Sequence, residues 1–270
     1  MTSVIQAELN RLKPMRDDNH WDSVRGQQNF LRSYKKTATG DRAIWITKNS
    51  SHNKDLQSSR SVGLKNVETI EDIEKGYEDG MKLTHNDAVR IQEIVEVTDI
   101  LNNVAIKEGF KQFKLKGMCE IGFRYPRLMK YYQDKYDIPV RGYDVSTLAV
   151  EYAKTKGYDA NECDLNEEVP DFKGYNLLVM YHVLEHLEDP ESFLKNLYNN
   201  VEEGTVCHFE VPIELNEPQH EYGHLFGFHP GDLMHYVINA GFSGISMVTK
   251  NICGKGLFVE RVTGTKINGQ

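Results

Sequence analysis

Residues 175–190 read YNLLVMYHVLEHLEDP, and two readings compete for them. His182, Glu185 and His186 stand in the order H-x-x-E-H, a spacing that zinc hydrolases also use by carrying both histidines on one turn of a helix. Directly upstream, NLLVMY is a short, unbroken apolar run, the pattern of a strand in a covered parallel sheet. Downstream, Asp189 is placed to cap a new helix with Pro190 at its first position. A strand, a short turn of helix and a fresh helix leave no single helical face for two histidines. The stretch therefore predicts a strand end, and no metal ligands are assigned.

The same pattern extends in both directions. Apolar runs at GMCEI, VRGYDV, DANECDL, YNLLVMY and TVCHFEV alternate with helical stretches at YPRLMKYYQDKY, STLAVEYAKTKG and PESFLKNLYNNV. A further helix, PGDLMHYVINAGF, precedes two strands, GISMVTKN and GLFVERV, joined by a glycine-containing turn. The expectation is an α/β fold of Rossmann type: a mostly parallel seven-stranded sheet, helices on both faces and a terminal antiparallel hairpin. Residues 69–108 carry helically spaced apolar residues with a break near Thr84. They predict two helices leading into the core.

In such a sheet ligands bind beyond the carboxyl ends of the strands. Three ends carry acids: Glu120-Ile121-Gly122, Asp144 and Asp164-Leu165. An acid closing the second strand, about 20 residues past a glycine turn, suits a ribose diol, because a carboxylate accepts two hydrogen bonds. Each acid taken singly could equally be a turn residue or a helix cap.

The succession EIG, GYDVS, CDL, YNLLVMYHVLEHLEDP, EVP and GHLFGFHPGDLMHYVINAGF resembles the class I S-adenosylmethionine-dependent methyltransferases over about residues 115–262. The resemblance implies S-adenosyl-L-methionine as cofactor. Gly122 would lie against its amino-acid part, Asp144 and Val145 at the ribose, and Asp164 with Leu165 at the adenine. Glu120, Tyr181 and His182 would line the same strand ends. One departure stands out: the family's first motif continues with two more glycines, whereas EIGFRYP has Arg124 and Pro126 there. The loop must take another shape, with Arg124 either pairing with the cofactor carboxylate or filling the pocket.

After the fifth strand, EVPIELNEPQHEYGHLFGFHP offers Glu210, Glu214, His220, Tyr222, His224 and His229. EYGHLFGF resembles a segment of methyltransferases acting on sugars and other small metabolites in which the histidine is the base. That implies His224 as general base, with Tyr222 and His186 orienting the substrate. MYHVLEH stands where base-methylating DNA enzymes have an N/D-P-P-Y/F sequence, which argues for a small-molecule acceptor. Two alternatives stay open: a methyltransferase-like scaffold without catalysis, and a nucleic-acid methyltransferase that uses its basic arm.

That arm is visible in the charge. Residues 1–65 hold 12 Lys+Arg and 6 Asp+Glu, so of the whole-chain net charge of -8 they contribute +6 and residues 66–270 contribute -14. The boundary expected is a polar, mainly helical extension over 1–110 and the cofactor-binding domain over 111–270. No apolar run reaches the length needed to span a bilayer, and the first residues lack a secretory apolar core, so a cytoplasmic location is expected. Cys119, Cys163, Cys207 and Cys253 are far apart and lie in or beside apolar runs, which predicts buried thiols rather than a disulfide frame or a metal knuckle.

Overall fold

The computed structural model describes residues 70–108, 112–213, 224–250 and 258–266. Most of the expected N-terminal extension, together with Glu214, His220, Tyr222 and Cys253, lies outside the described residues. Two helices open the described chain, α1 (Ile70–Gly80) and α2 (His85–Glu108). The break between them is made by Thr84, whose hydroxyl accepts the amide of Asp87 at 3.1 Å while the Asp87 carboxylate accepts the amide of Thr84 at 2.9 Å. This reciprocal capping box satisfies two donors that the first turn of a helix otherwise leaves unpaired.

The sheet follows, with β1 (Met118–Ile121), α3 (Arg127–Tyr136), β2 (Val140–Asp144), α4 (Thr147–Thr155), β3 (Ala160–Glu162), β4 (Leu177–Tyr181), α5 (Pro190–Asn200), β5 (Val206–Ile213), α6 (Asp232–Asn239), β6 (Ser243–Lys250) and β7 (Phe258–Thr265). Seven strands lie in the order β3-β2-β1-β4-β5-β7-β6. The first five run parallel, and β7 enters antiparallel between β5 and β6, so the terminal hairpin is built as expected. One detail differs from the sequence reading: β3 is only three residues long, so Asp164 lies beyond its end. As the sequence has no helical stretch there, the chain crosses from β3 to β4 through turns.

Alternation along the strands sends side chains to two cores. Leu177 and Val179 of β4 pack with Met118 and Val206 against Ile94 and Val97 of α2, Leu128 of α3 and Val150 of α4. Leu178 and Met180 face the opposite way, with Cys119, Ile121, Cys207 and Phe209, against Leu194 and Leu197 of α5 and Leu233 and Val237 of α6. Burial on both faces explains the unbroken apolar run, since no position of β4 alternates to solvent. Each such side chain contributes about 1.5–3 kcal/mol of transfer free energy. Asp189 caps α5 by accepting from Ser192 N at 2.9 Å, and Pro190 takes the first helical position. Cys119, Cys163 and Cys207 are buried free thiols.

Candidate active site

Connections leave β1 in one direction towards β2 and β3, and β4 lies on its other side with β5 beyond, so the order reverses between β1 and β4. Ligands in open α/β sheets settle at that reversal, beyond the carboxyl ends of the strands. The backbone there is unusual. Gly122, Arg124 and His182, which follow β1 and β4, all have positive φ, at 72°, 43° and 55°. Left-handed backbone at non-glycine residues costs free energy that the surrounding structure must sustain, and such residues concentrate at functional sites.

Asp144 organises the first corner. Its Oδ2 accepts the amide of Arg124 and its Oδ1 the amide of Ser146, both at 2.9 Å. The strained Arg124 backbone is thus held by the residue that closes β2. Burial raises the Asp144 carboxyl above its ordinary value, against these two amides and the Arg124 charge, which lower it. A carboxylate has about four acceptor positions, so even with the nearby Val145 amide counted the three amides do not fill them, and a ribose hydroxyl can be received there. Beside it the apolar side chain of Val145 is 39% exposed, an open apolar surface suited to a flat ring. Asp164 stands on the neighbouring turn, where its Oδ1 accepts the amide and the side-chain Nδ2 of Asn166, both at 3.0 Å. Leu165 rests partly buried on the core below.

The EIGFRYP loop also meets the first described helix. Tyr125, within EIGFRYP, packs against α1: a Cβ on Gly80 would come within 2.5 Å of its ring, and one on Gly76 within 2.5 Å of its hydroxyl. The loop is thus packed through Tyr125 on a helix that precedes the sheet. Arg124 is exposed, its guanidinium 5.6 Å from the Tyr125 ring, and it does not fill the interior. These residues fit the cofactor implied by the sequence: the carboxylate keeps free acceptor capacity, the loop glycine is solvent-facing and an apolar surface is open.

Other expected residues are turned elsewhere. The Glu120 side chain faces α3, accepting from Met129 N at 3.3 Å, and burial pushes its carboxyl up to about 8 against the pull of Arg127. Tyr181 packs beneath α2 with the Arg90 guanidinium 4.1 Å from its ring centre, and its buried hydroxyl lies far above its ordinary pKa because of burial. His182 places Nε2 2.8 Å from Glu210 Oε1 and Nδ1 3.3 Å from Glu185 Oε1, with its side chain 41% exposed. Burial works against the imidazolium, but the contacts with Glu185 and Glu210 outweigh it and lift the ring to about 9.

Glu210, a candidate base in the sequence, is locked. Arg90 and Arg261 both donate to it, Arg90 through Nε at 3.1 Å and through a second, shorter bond, and Arg261 through Nε. Burial would raise its carboxyl; His182 and the two arginines reverse that and hold it far below the ordinary carboxylate range. It is too weak a base to take a proton near neutrality. Around it a buried ionic network joins Asp87 to Arg90 at 2.8 Å and to Arg127 at 2.7 Å, and Arg261 to Glu93 at 3.2 Å. None of these partners is signalled in the sequence.

The H-x-x-E-H stretch resolves into separate duties. Leu184–His186 forms a single 3-10 turn, and His182, held to Glu210, is not on a shared helical face with His186. His186 instead meets His224, with ring centres 5.0 Å apart and planes at 83°. The backbone carbonyl of Glu185 accepts Leu225 N at 2.7 Å and Phe226 N at 3.0 Å, which fastens the segment after β5 onto the turn after β4. His229 pairs instead with Asp232, its Nδ1 3.6 Å from Oδ2.

A methyltransferase domain family matches residues 96–246, more than half of the chain. Against curated protein sequences the chain finds no match. Among solved structures, a Haemonchus contortus phosphoethanolamine N-methyltransferase 2 in complex with S-adenosyl-L-methionine is similar at 10% identity with a TM-score of 0.54, over 78% of this chain and 60% of that one. Plantazolicin methyltransferase BpumL in complex with SAH aligns over 82% of this chain and 99% of its own, at 10% identity and a TM-score of 0.49. At 10% identity the likeness to the first of these speaks for the fold alone. No helix among the described residues is long and apolar enough to cross a membrane.

Proposed function

Because this chain belongs to the methyltransferase domain family, as a class I enzyme dependent on S-adenosylmethionine, we propose that it methylates a small-molecule acceptor, with sugar derivatives the first class to test. The observation that carries the reading is the Asp144 corner: a carboxylate with two backbone amides already bound, acceptor capacity left for a ribose hydroxyl, and exposed Val145 beside it. Gly122 and the exposed Arg124 would receive the amino-acid end, with the guanidinium pairing the carboxylate. Asp164 and Leu165 would border the adenine.

Bound there, the cofactor supplies an activated methyl group on its sulfonium. Transfer asks the protein to align a nucleophile with that methyl and to accept the nucleophile's proton. The edge-to-face pair of His186 and His224 supports a proton acceptor at this edge, with His224 as base and His186 orienting the acceptor. Tyr222, two residues before His224 in sequence, is assigned to the acceptor as well. Residues 1–110 are assigned to acceptor recognition over the 111–270 domain, a role supported by the docking of α1 on Tyr125. A charge of -14 over residues 66–270 disfavours a polyanionic acceptor.

Isothermal titration with S-adenosylmethionine and S-adenosylhomocysteine tests the cofactor corner, with Asp144→Ala as the comparison. Wild type is expected to bind both and the variant to lose binding. A folded wild type that binds neither overturns the reading.

A further inference from the structure

Glu185 is 0% exposed, and neither of its carboxylate oxygens accepts a hydrogen bond. Removing a carboxylate from water without compensation costs several kcal/mol. The positive group nearest it is His182, whose Nδ1 stands 3.3 Å from Oε1 without the alignment of a hydrogen bond, while the same ring makes its shorter contact, at 2.8 Å, with Glu210. The arginines close to the site are committed to Glu210, Asp87 and Glu93. The buried Glu185 carboxylate thus has no aligned hydrogen bond, and the one imidazolium near it is shared with Glu210.

Two imidazoles stand beside it. A carboxylate oxygen of Glu185 and one ring nitrogen each from His186 and His224 all lie within 4.8 Å of one another. Ligands held at about 2.1 Å from one ion are separated from each other by roughly 3–4.2 Å, so a small side-chain adjustment brings the three into register. The backbone bonds from Leu225 and Phe226 to the Glu185 carbonyl already hold the His224 segment in place. The geometry points to a binding site for one divalent transition-metal cation, of the zinc class, formed by Glu185, His186 and His224.

The donor set selects the kind of ion. Two imidazoles and one carboxylate suit zinc, iron or nickel, whereas magnesium and calcium prefer oxygen ligands throughout. The set carries a charge of -1 against +2, and the ion gives the Glu185 carboxylate an aligned partner. Three protein ligands leave a position for water or an acceptor oxygen. His182, at 3.3 Å, becomes an outer partner that orients the ligating carboxylate. Cation binding is independent of the acceptor proposed above, and only its consequence rests on that reading: His224 then holds the ion instead of a proton, and the open position receives the acceptor.

The test uses the full chain stripped with a chelator and titrated calorimetrically with zinc chloride and, separately, magnesium chloride. S-adenosylmethionine binding is measured on the same samples, so loss of the cofactor corner and loss of the cation site are read independently. One equivalent of zinc is expected, with magnesium at least tenfold weaker. Glu185→Gln, His186→Ala and His224→Ala should each weaken zinc at least tenfold while leaving cofactor affinity within about twofold. Glu185→Gln should also raise the melting temperature of the metal-free chain and abolish the further rise that zinc gives wild type. A wild type that binds cofactor but no zinc overturns the proposal, as does zinc binding that survives both Glu185→Gln and His224→Ala.

Discussion

Gly122→Ala separates two reasons for the glycine after β1, a close approach by ligand and a close approach by the protein itself. A Cβ at this position would come closer to Val183 Cγ2 than the 3.0 Å that real Cβ atoms keep, and the φ of 72° is left-handed. The backbone term costs an alanine about 1–2 kcal/mol. Valine is stiff about χ1, so relieving the overlap adds about 1–3 kcal/mol of overpacking. The expected loss is about 2–5 kcal/mol, read from urea denaturation without ligand. In a Val183→Ala background the methyl that clashes is gone and only the backbone term, about 1–2 kcal/mol, should remain. The reasoning is refuted if Gly122→Ala lies within about 0.5 kcal/mol of wild type, or if it costs the same in both backgrounds.

Three further outcomes follow from buried charge. Glu120 is raised from 4.5 to about 8, so it favours the folded state in its protonated form; that contribution is complete below pH 4.5 and is lost as pH rises through about 8. Wild type should therefore lose roughly 2–3 kcal/mol more than Glu120→Gln between pH 6 and pH 9, measured as urea midpoints, and parallel curves would contradict the assignment. Glu210→Gln leaves Arg90 and Arg261 buried without their carboxylate and should cost about 3–5 kcal/mol. The same substitution should bring the His182 titration down from about 9, followed by NMR; in wild type the stability linked to this ring is complete below pH 6.5 and lost as pH rises through about 9.

Much of the architecture was legible because it rests on local pattern. NLLVMY is unbroken because both faces of β4 are covered, and Asp189-Pro190 starts α5 through a hydrogen bond three residues long. The break before α2 is likewise written in Thr84 and Asp87. The site was legible in part. Asp144 closes β2 as expected, and at the altered glycine motif Arg124 keeps a left-handed backbone, with φ of 43°. That Tyr125 docks on α1 could not be read, since the contact depends on where a separate helix lies.

Residue spacing along the chain was sufficient for most of the strands, for the caps and for Asp144 at the end of β2, because each depends on a period of two or 3.6 residues or on a neighbour within one turn, whereas β3 ends short of Asp164. Partnerships across the fold were not within its reach. Arg90 meets Glu210 120 positions away and Arg261 meets Glu93 168 positions away, and Glu210 faces Arg261 only because β7 pairs antiparallel with β5 in that register. H-x-x-E-H shows the same division. Its spacing suggested His182 and His186 as a pair, but a left-handed residue at the strand end turned His182 towards Glu210, and packing of the segment after β5 brought His224 to Glu185 and His186 instead.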